Sequence, residues 1–269
     1  MQFTLQAPMT IEQILRDYFH AGKKLVHELR MAKAITINDE VPRWNITFPT
    51  GTTLQIAMPN INSNYTAVAC AIPIIYEDDA VLVAVKPHNM PTHPNEPTQQ
   101  NTCMNHIAGH VQGYVEHVQR LDAGTSGVLL MAKNPLVKAK LDYDLATQQV
   151  TRIYEAVIEG QLKPAEGTIN QAIGRDRHHN TRRVVSRTGQ SAITHYKTLQ
   201  HGKRSVIELN LVTGRTHQIR VHLAFLGHPI IGDVLYGSTV QQDHYELRAK
   251  TVRFHHPITQ KLTTITNHL

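Results

Sequence analysis

Along the first sixty residues the apolar positions fall at helical spacing twice, at Ile11, Ile14, Leu15 and Phe19 and again at Leu25 and Leu29. Short helices are predicted there, over 11–18 and 23–32, followed by a strand over 34–37. Asn38-Asp39 and Pro49-Thr50-Gly51-Thr52 supply turns ahead of a strand at 53–57. Polar residues then take over, and Pro59, Asn60, Asn62, Ser63 and Asn64 mark a linker. The pattern predicts a small αα-β module over 1–60, a linker over 61–72 and a main domain over 73–269.

From Pro73 onward the pattern is mainly strand-like. Apolar runs at 80–85 and 127–132 read as buried strands. The stretch 153–159 alternates Ile153 and Val157 against Tyr154, Ala156 and Ile158, and 206–211 sets Ile207, Leu209 and Leu211 against Glu208 and Asn210. One helix is clear, at 216–226: Ile219, Leu223, Ala224 and Leu226 share a face, Gly227 stands at the C′ position and Pro229 prevents continuation. The expected class is α+β, with a mainly antiparallel mixed sheet and flanking helices.

Composition narrows the setting. The 269 residues, 41% hydrophobic and 18% charged, suffice for one large core with a small appendage. Lys and Arg number 27 against 21 Asp and Glu, and the resulting +6 favours a polyanionic partner. Cys70 and Cys103 form no Cys-x-x-Cys pair, so neither a disulfide framework nor a thiolate zinc site is expected, and a reducing cytoplasm is the natural setting. The apolar stretches are far shorter than a membrane span. Histidine is the unusual count, at 18. The pairs His178-His179, His255-His256 and His106/His110 lack a carboxylate or thiolate at ligand spacing. They read as solvated or phosphate-facing imidazoles, able to gain charge near phosphates, and no metal is expected.

Three polar blocks sit in or beside the apolar elements. The first, QRLDAGTSG at 119–127, is a glycine-rich approach to a buried strand. Asp122, beside Arg120, would stay an anion suited to act as nucleophile or base, while the same residue taken alone reads first as a turn or cap. The second, TGRTHQIRVH at 213–222, puts Arg215 in an approach loop where it can meet phosphate. Arg220 lies one turn inside the helix, next to the apolar stripe, and there requires a carboxylate partner. Such a pair either fixes two elements or orients a catalytic acid. The third, TRIYEAVIEG at 151–160, carries Tyr154, which reads either as core or as a ring that stacks on a nucleobase.

These blocks and their order resemble RluA-type RNA pseudouridine synthases. QRLDAGTSGV at 119–128 matches the family's signature around its aspartate, and GRTHQIRVHL at 214–223 with GHPIIGDVLYG at 227–237 matches the late signature. VKPHNMPTHP at 85–94, YEAVIEG at 154–160 and GQSAITHY at 189–196 match weaker blocks. The resemblance covers about residues 73–259. Residues 1–60 resemble a degenerate form of the α-L RNA-binding module that precedes many of these catalytic domains: Gly22-Lys23-Lys24 replaces the usual Ser-Arg pair, while Ala34-Ile35-Thr36-Ile37-Asn38 keeps its strand.

The resemblance implies isomerisation of specific uridines to pseudouridine in structured RNA, ribosomal or transfer, with base flipping and no cofactor. The enzyme is expected to be a cytoplasmic monomer. It implies Asp122 as the catalytic aspartate, Arg220 as the arginine that pairs with it, and Tyr154 as the ring packed on the uracil. Arg120 corresponds to the residue that fills the gap left by the flipped nucleotide. Thr125, Ile219 and Leu223 are expected at the substrate, the last two as apolar walls. Lys86, Arg152, Arg175, Arg182, Arg183 and Arg215 are candidates for phosphate contact, Arg182, Arg183 and Arg215 foremost. The chain departs from the pattern at Gln119, His88, Gln190 and Arg248, where His, Gly, Lys and His are usual. Two other readings stand beside this one, a silent RNA-binding factor with the same fold and a glycosidase. The intact Asp122, Tyr154 and Arg220 argue against the first, and the lack of a second acidic motif argues against the second.

Overall fold

The computed structural model describes residues 1–58 and 61–268. Pro59 and Asn60, where the boundary between module and linker is expected, lie outside the described residues, as does Leu269. The N-terminal module comprises β1 (Gln2–Thr4), β2 (Met9–Thr10), α1 (Ile11–Gln13), α2 (Lys23–Met31), β3 (Ile35–Thr36), β4 (Thr47–Phe48) and β5 (Thr53–Ile56). Helix α1 runs on as a π-helical turn, Ile14–Tyr18, so the helix predicted over 11–18 is present with a widened second half. It opens on a capping box in which the Gln13 N–H reaches Thr10 Oγ1 and the Thr10 N–H reaches Gln13 Oε1. Phe3, Ile11, Ile14, Leu15, Phe19, Leu29 and Leu54 close a small core against the antiparallel sheet β1-β5-β3.

The main domain continues with β6 (Ile74–Glu77), β7 (Val81–Lys86), α3 (Cys103–Val111), β8 (Glu116–His117), β9 (Ser126–Ala132) and α4 (Pro135–Ala146). Next come β10 (Thr151–Glu159), β11 (Glu166–Asn170), β12 (Ile173–Arg175), β13 (Arg183–Val185), β14 (Ile193–Gln200) and β15 (Arg204–Leu211). Helix α5 (Gln218–Phe225) and strands β16 (Leu247–His255) and β17 (Leu262–Thr266) complete the chain. One ten-stranded sheet runs β11-β14-β15-β10-β16-β9-β7-β6, with β17 added on β16 and β8 on β9. Every pairing in it is antiparallel except β9 with β16. The domain is therefore α+β around a mainly antiparallel mixed sheet. The alternation in β10 is realised as expected, with Tyr154, Ala156 and Ile158 buried and Ile153 and Val157 half-buried.

Gly127 is the second residue of β9 in the parallel pair, opposite Ala249. Its φ is +110°, and a β-carbon added there would lie 2.1 Å from the Ala249 carbonyl oxygen. Only glycine lets β16 approach the start of β9 this closely, and that start is the end of the 119–127 loop.

Helices α3 and α4 depart from the strand-like pattern expected after Pro73. In α4, Val137 and Leu141 enter the main core while Leu136 enters the core of the N-terminal module. A helix buried on two sides has no single apolar stripe, so periodicity does not reveal it, although Asn134 and Pro135 mark its start. Tyr18 also donates to Pro257 O at 2.8 Å, and His20 stacks on Tyr143 at 3.4 Å, so module and domain share one packed interface. The segment at 61–72 has no helix or strand, yet it lies along α3: Asn105 Nδ2 donates to Thr66 O and the Val68 N–H to Asn105 O. Leu136→Ala is expected to cost about 2–5 kcal/mol, the usual price of a truncated buried leucine, while module and domain still unfold in one transition. Urea unfolding followed by tryptophan fluorescence, which reports on Trp44 in the module, and by far-ultraviolet circular dichroism checks both points.

Candidate active site

The loop carrying Asp122 is fixed through its own peptide carbonyls. Thr92 Oγ1 donates to Leu121 O at 2.7 Å, the Thr125 N–H to Asp122 O at 3.0 Å, Lys86 Nζ to Ala123 O at 2.9 Å and His88 Nδ1 to Gly124 O at 2.9 Å. Three of those four donors come from residues 86–92, which run from the last residue of β7 into the loop after it. With every carbonyl from 121 to 124 held, the Asp122 side chain projects from a backbone that has little freedom to move.

Arg220, on the first turn of α5, faces that side chain. Its Nε and Nη2 donate to Asp233 at 2.7 and 2.8 Å, and its Nη1 lies 3.7 Å from Asp122 Oδ2. The bidentate partner is thus Asp233, only 1% exposed, while the contact to Asp122 that the resemblance implies is a longer ion pair through the third nitrogen. The guanidinium is packed against the rings of Tyr245, at 4.4 Å, and Tyr236, at 4.8 Å. Burial works against its charge, but the Asp233 hydrogen bonds, with the charges around it, hold its pKa above the ordinary arginine value.

His217, which precedes α5, reaches the same carboxylate. Its backbone is left-handed, with φ +59°, an uncommon state for a residue with a side chain. The Tyr236 hydroxyl accepts the Arg183 N–H at 2.9 Å and so has its own proton to give to His217 Nδ1, 2.8 Å away. The tautomer this selects carries its hydrogen on Nε2, which lies 3.9 Å from Asp122 Oδ2. Burial pushes the imidazole pKa down against the pull of Asp122. His117, in the wall of the same cavity, is pushed down to about 4 by burial. Burial thus disfavours a positive charge on both of these imidazoles.

Asp122 lies where two cavities meet. One, of about 240 Å³, is lined by Tyr154, Leu121, Leu211, Ile219 and Leu247 on its apolar side and by Arg120, Thr125, Arg152 and Arg215 among its polar groups. The other, of about 580 Å³, is open towards Asn180, Thr181 and Arg183 of the β12–β13 hairpin. Burial pushes the Tyr154 phenol up, so its ring enters the first cavity with the hydroxyl protonated.

The expected residues divide accordingly. Asp122, Tyr154, Arg220, Arg120, Thr125, Ile219 and Arg215 all line the smaller cavity. Thr125 is buried with its hydroxyl 3.1 Å from that of Tyr245. Arg215 is exposed, its Nε donating to Ser191 O at 3.0 Å. Arg182 is exposed and lies over the Tyr236 ring at 5.8 Å, and Arg183 lines the larger cavity. Two expectations are overturned. Leu223 is fully buried in the sheet-side core and lines neither cavity, because it follows Ile219 by one turn and points into the same packing deeper along α5. Lys86 is fully buried, with Nζ donating to Pro87 O, Met90 O and Ala123 O, so its three protons are committed and none remains for a phosphate. His217, Asp233, Tyr236 and Tyr245 also stand at the site, with no role that the sequence pattern assigns them. Asp233 and Tyr236 stand in the GHPIIGDVLYG block, where a lone acid in a buried run was the available signal.

A family model described as RNA pseudouridylate synthase matches residues 80–225, and one described as the RluD ribosomal pseudouridine synthase N-terminal domain matches residues 1–54. Both fall on one class of enzyme, isomerases that act on RNA. The chain is 40% identical over 259 residues to a Bacillus subtilis (strain 168) protein named uncharacterized RNA pseudouridine synthase YhcT, which spans 93% of this chain and 86% of that one. It is 33% identical over 279 residues to ribosomal large subunit pseudouridine synthase D of Vibrio parahaemolyticus, covering 94% of this chain and 85% of the relative. Among solved structures, human RNA pseudouridylate synthase domain containing 1 shares the fold, with a TM-score of 0.63 at 24% identity over 73% of this chain and 82% of that one. The chain belongs to the RNA pseudouridine synthase family and isomerises uridine to pseudouridine in RNA.

Two outcomes follow from the site's charges. Asp233→Ala removes the partner of a buried cation and is expected to cost about 3–5 kcal/mol in denaturant unfolding, with pseudouridine formation lost as Arg220 is released. Burial pushes the Lys86 pKa down from 10.5 to about 8. Between those values the unfolded chain binds more protons at Lys86 than the folded chain, so stability at this site rises with pH. Wild type should therefore gain stability relative to Lys86→Met as the pH is raised from 8 to 10.5. Unfolding of both proteins at several pH values measures the difference.

Proposed function

We propose that Asp122 is the catalytic carboxylate and that the smaller cavity receives a uracil flipped out of structured RNA. The observation that carries this reading is the Asp122 carboxylate, held by a pinned loop 3.7 Å from the Arg220 guanidinium and facing a half-apolar cavity. Flipping is required because the target carbon is inaccessible within a stacked or paired strand. The reaction breaks the N1–C1′ bond, turns the base and joins C5 to C1′; C5 loses a proton and N1 gains one. Asp122 supplies the oxygen that drives the glycosidic cleavage. Arg220 is the positioning residue that keeps that oxygen in place, and Tyr154 packs on the uracil with its phenol protonated. Ile219, Leu121 and Leu247 exclude water from the base. No side chain here requires a cofactor to perform these steps.

Arg120 stands at the rim between the two cavities, where it can fill the space left by the flipped nucleotide. Arg182, Arg183 and Arg215 contact phosphates along the hairpin and the approach to α5. Ribosomal RNA is the favoured substrate, since the N-terminal segment matches the RluD module and several relatives are named for the large ribosomal subunit. The module then binds RNA loosely while the main domain does the chemistry. The enzyme acts in the cytoplasm as a monomer, a reading supported by a cavity completed within one chain.

Mapping pseudouridine in total RNA from cells with and without the gene is expected to show one or a few ribosomal positions lost; loss confined to transfer RNA would redirect the substrate. Asp122→Asn should abolish pseudouridine at those positions while RNA affinity stays within a few-fold, and unchanged modification would sink the catalytic assignment. Arg182→Ala combined with Arg183→Ala should weaken binding and reduce the slope of log K against log salt by about 1–2.

A further inference from the structure

Arg152 has no place in that assignment. Its side chain leaves β10 two residues before Tyr154 on the same face of the strand, is 8% exposed and lines the smaller cavity. A buried guanidinium ordinarily pairs with a carboxylate, and among the described residues no ion pair is formed by this one. Its Nη2 meets only Leu211 O and Thr213 O, at 3.4 and 3.5 Å, the far limit of a hydrogen bond. Its Nε is buried without any partner. Gly214 packs on the remaining nitrogen, so closely that an added β-carbon would lie 2.8 Å from Nη1. The site therefore holds a cation with unused donors, kept in place by backbone on one side and opening into the cavity on the other.

Phosphate is a poor occupant for such a position. Arg120, Arg182 and Arg215 are exposed, and phosphates can meet them without leaving water. Arg152 instead sits among Tyr154, Leu211 and Leu247, where a phosphate would be stripped of solvent. A neutral acceptor carried on a flat ring suits it.

We propose that Arg152 is a specificity-determining residue that donates to the O4 carbonyl of the flipped uracil. Arginine is a donor only, so it favours a carbonyl at the 4-position and opposes the amino group that cytosine carries there. This rests on the smaller cavity being the base pocket.

Two nucleotides that share ribose and phosphate and differ in the base edge, uridine and cytidine 5′-monophosphate, test it by calorimetric titration. Wild type is expected to bind the uridine nucleotide about ten-fold more tightly, in line with one hydrogen bond to a charged donor. Arg152→Met should bind both equally, through loss of affinity for the uridine nucleotide, and Arg152→Lys should keep part of the preference. Arg152→Lys also decides the matter if Arg152→Met does not fold: a retained preference supports the proposal, and equal binding overturns it. A wild type without preference, a preference that survives in Arg152→Met, or an equal loss of both nucleotides, as a phosphate contact would give, also overturns it. Failure of the Asp122 assignment is a separate result, read in RNA modification while the nucleotide preference stands.

Discussion

A guanidinium has one edge more than a single carboxylate can occupy, and the site is organised around that surplus. Arg220 gives two nitrogens to Asp233 and keeps the third for Asp122, so the cation is anchored by a residue that takes no part in facing the cavity. The anchor must be buried to be stiff, and a buried cation needs its counter-charge close and well aligned. Tyr236 and Tyr245 complete the bracket by covering the guanidinium faces. Helix α5 is in turn fixed by polar contacts to the neighbouring strand: Gln218 Nε2 donates to Ile193 O, and His222 Nδ1 lies 2.8 Å from Thr194 Oγ1.

The second constraint meets the first from the opposite side. The Asp122 loop hangs between β16 and the 86–92 segment, and its carbonyls are taken up by donors of that segment. Lys86 acts there as a brace because three carbonyl oxygens converge on a point that excludes water; an apolar side chain would leave all three unsatisfied. Gly127 admits Ala249 at the far end of the loop, which joins the loop to the centre of the sheet. Asp122 thus stands between two rigid bodies, and the distance to Arg220 is set by how α5 and β9 dock on the same sheet.

Much of the fold was legible along the chain. Alternation in β10 and β15, the apolar run of β9, and the stripe and glycine stop of α5 each report which side faces the core, a local property written into residue order. Helix α4 escaped because its two apolar sides serve two cores, Leu136 one and Val137 and Leu141 the other. The 61–72 segment has the polarity of a linker, yet its backbone is tied to α3 by Asn105, a contact 39 residues apart that no local pattern announces.

At the site, residue order fixes which chemical groups exist and roughly where each enters the sheet: an aspartate in a glycine-rich loop, a tyrosine on a buried face, an arginine on the first turn of α5. It did not determine what each charge would meet. Lys86 and Arg152 carry the same formal charge as Arg182 and Arg215, but two are buried and two lie in water. That difference is made by partners distant along the chain, Ala123 for Lys86 and Leu211 for Arg152, and by Asp233 in the case of Arg220. Apolar periodicity is a property of neighbours in sequence, whereas the fate of a charge depends on the dielectric and the acceptors around it, and only the tertiary packing supplies those.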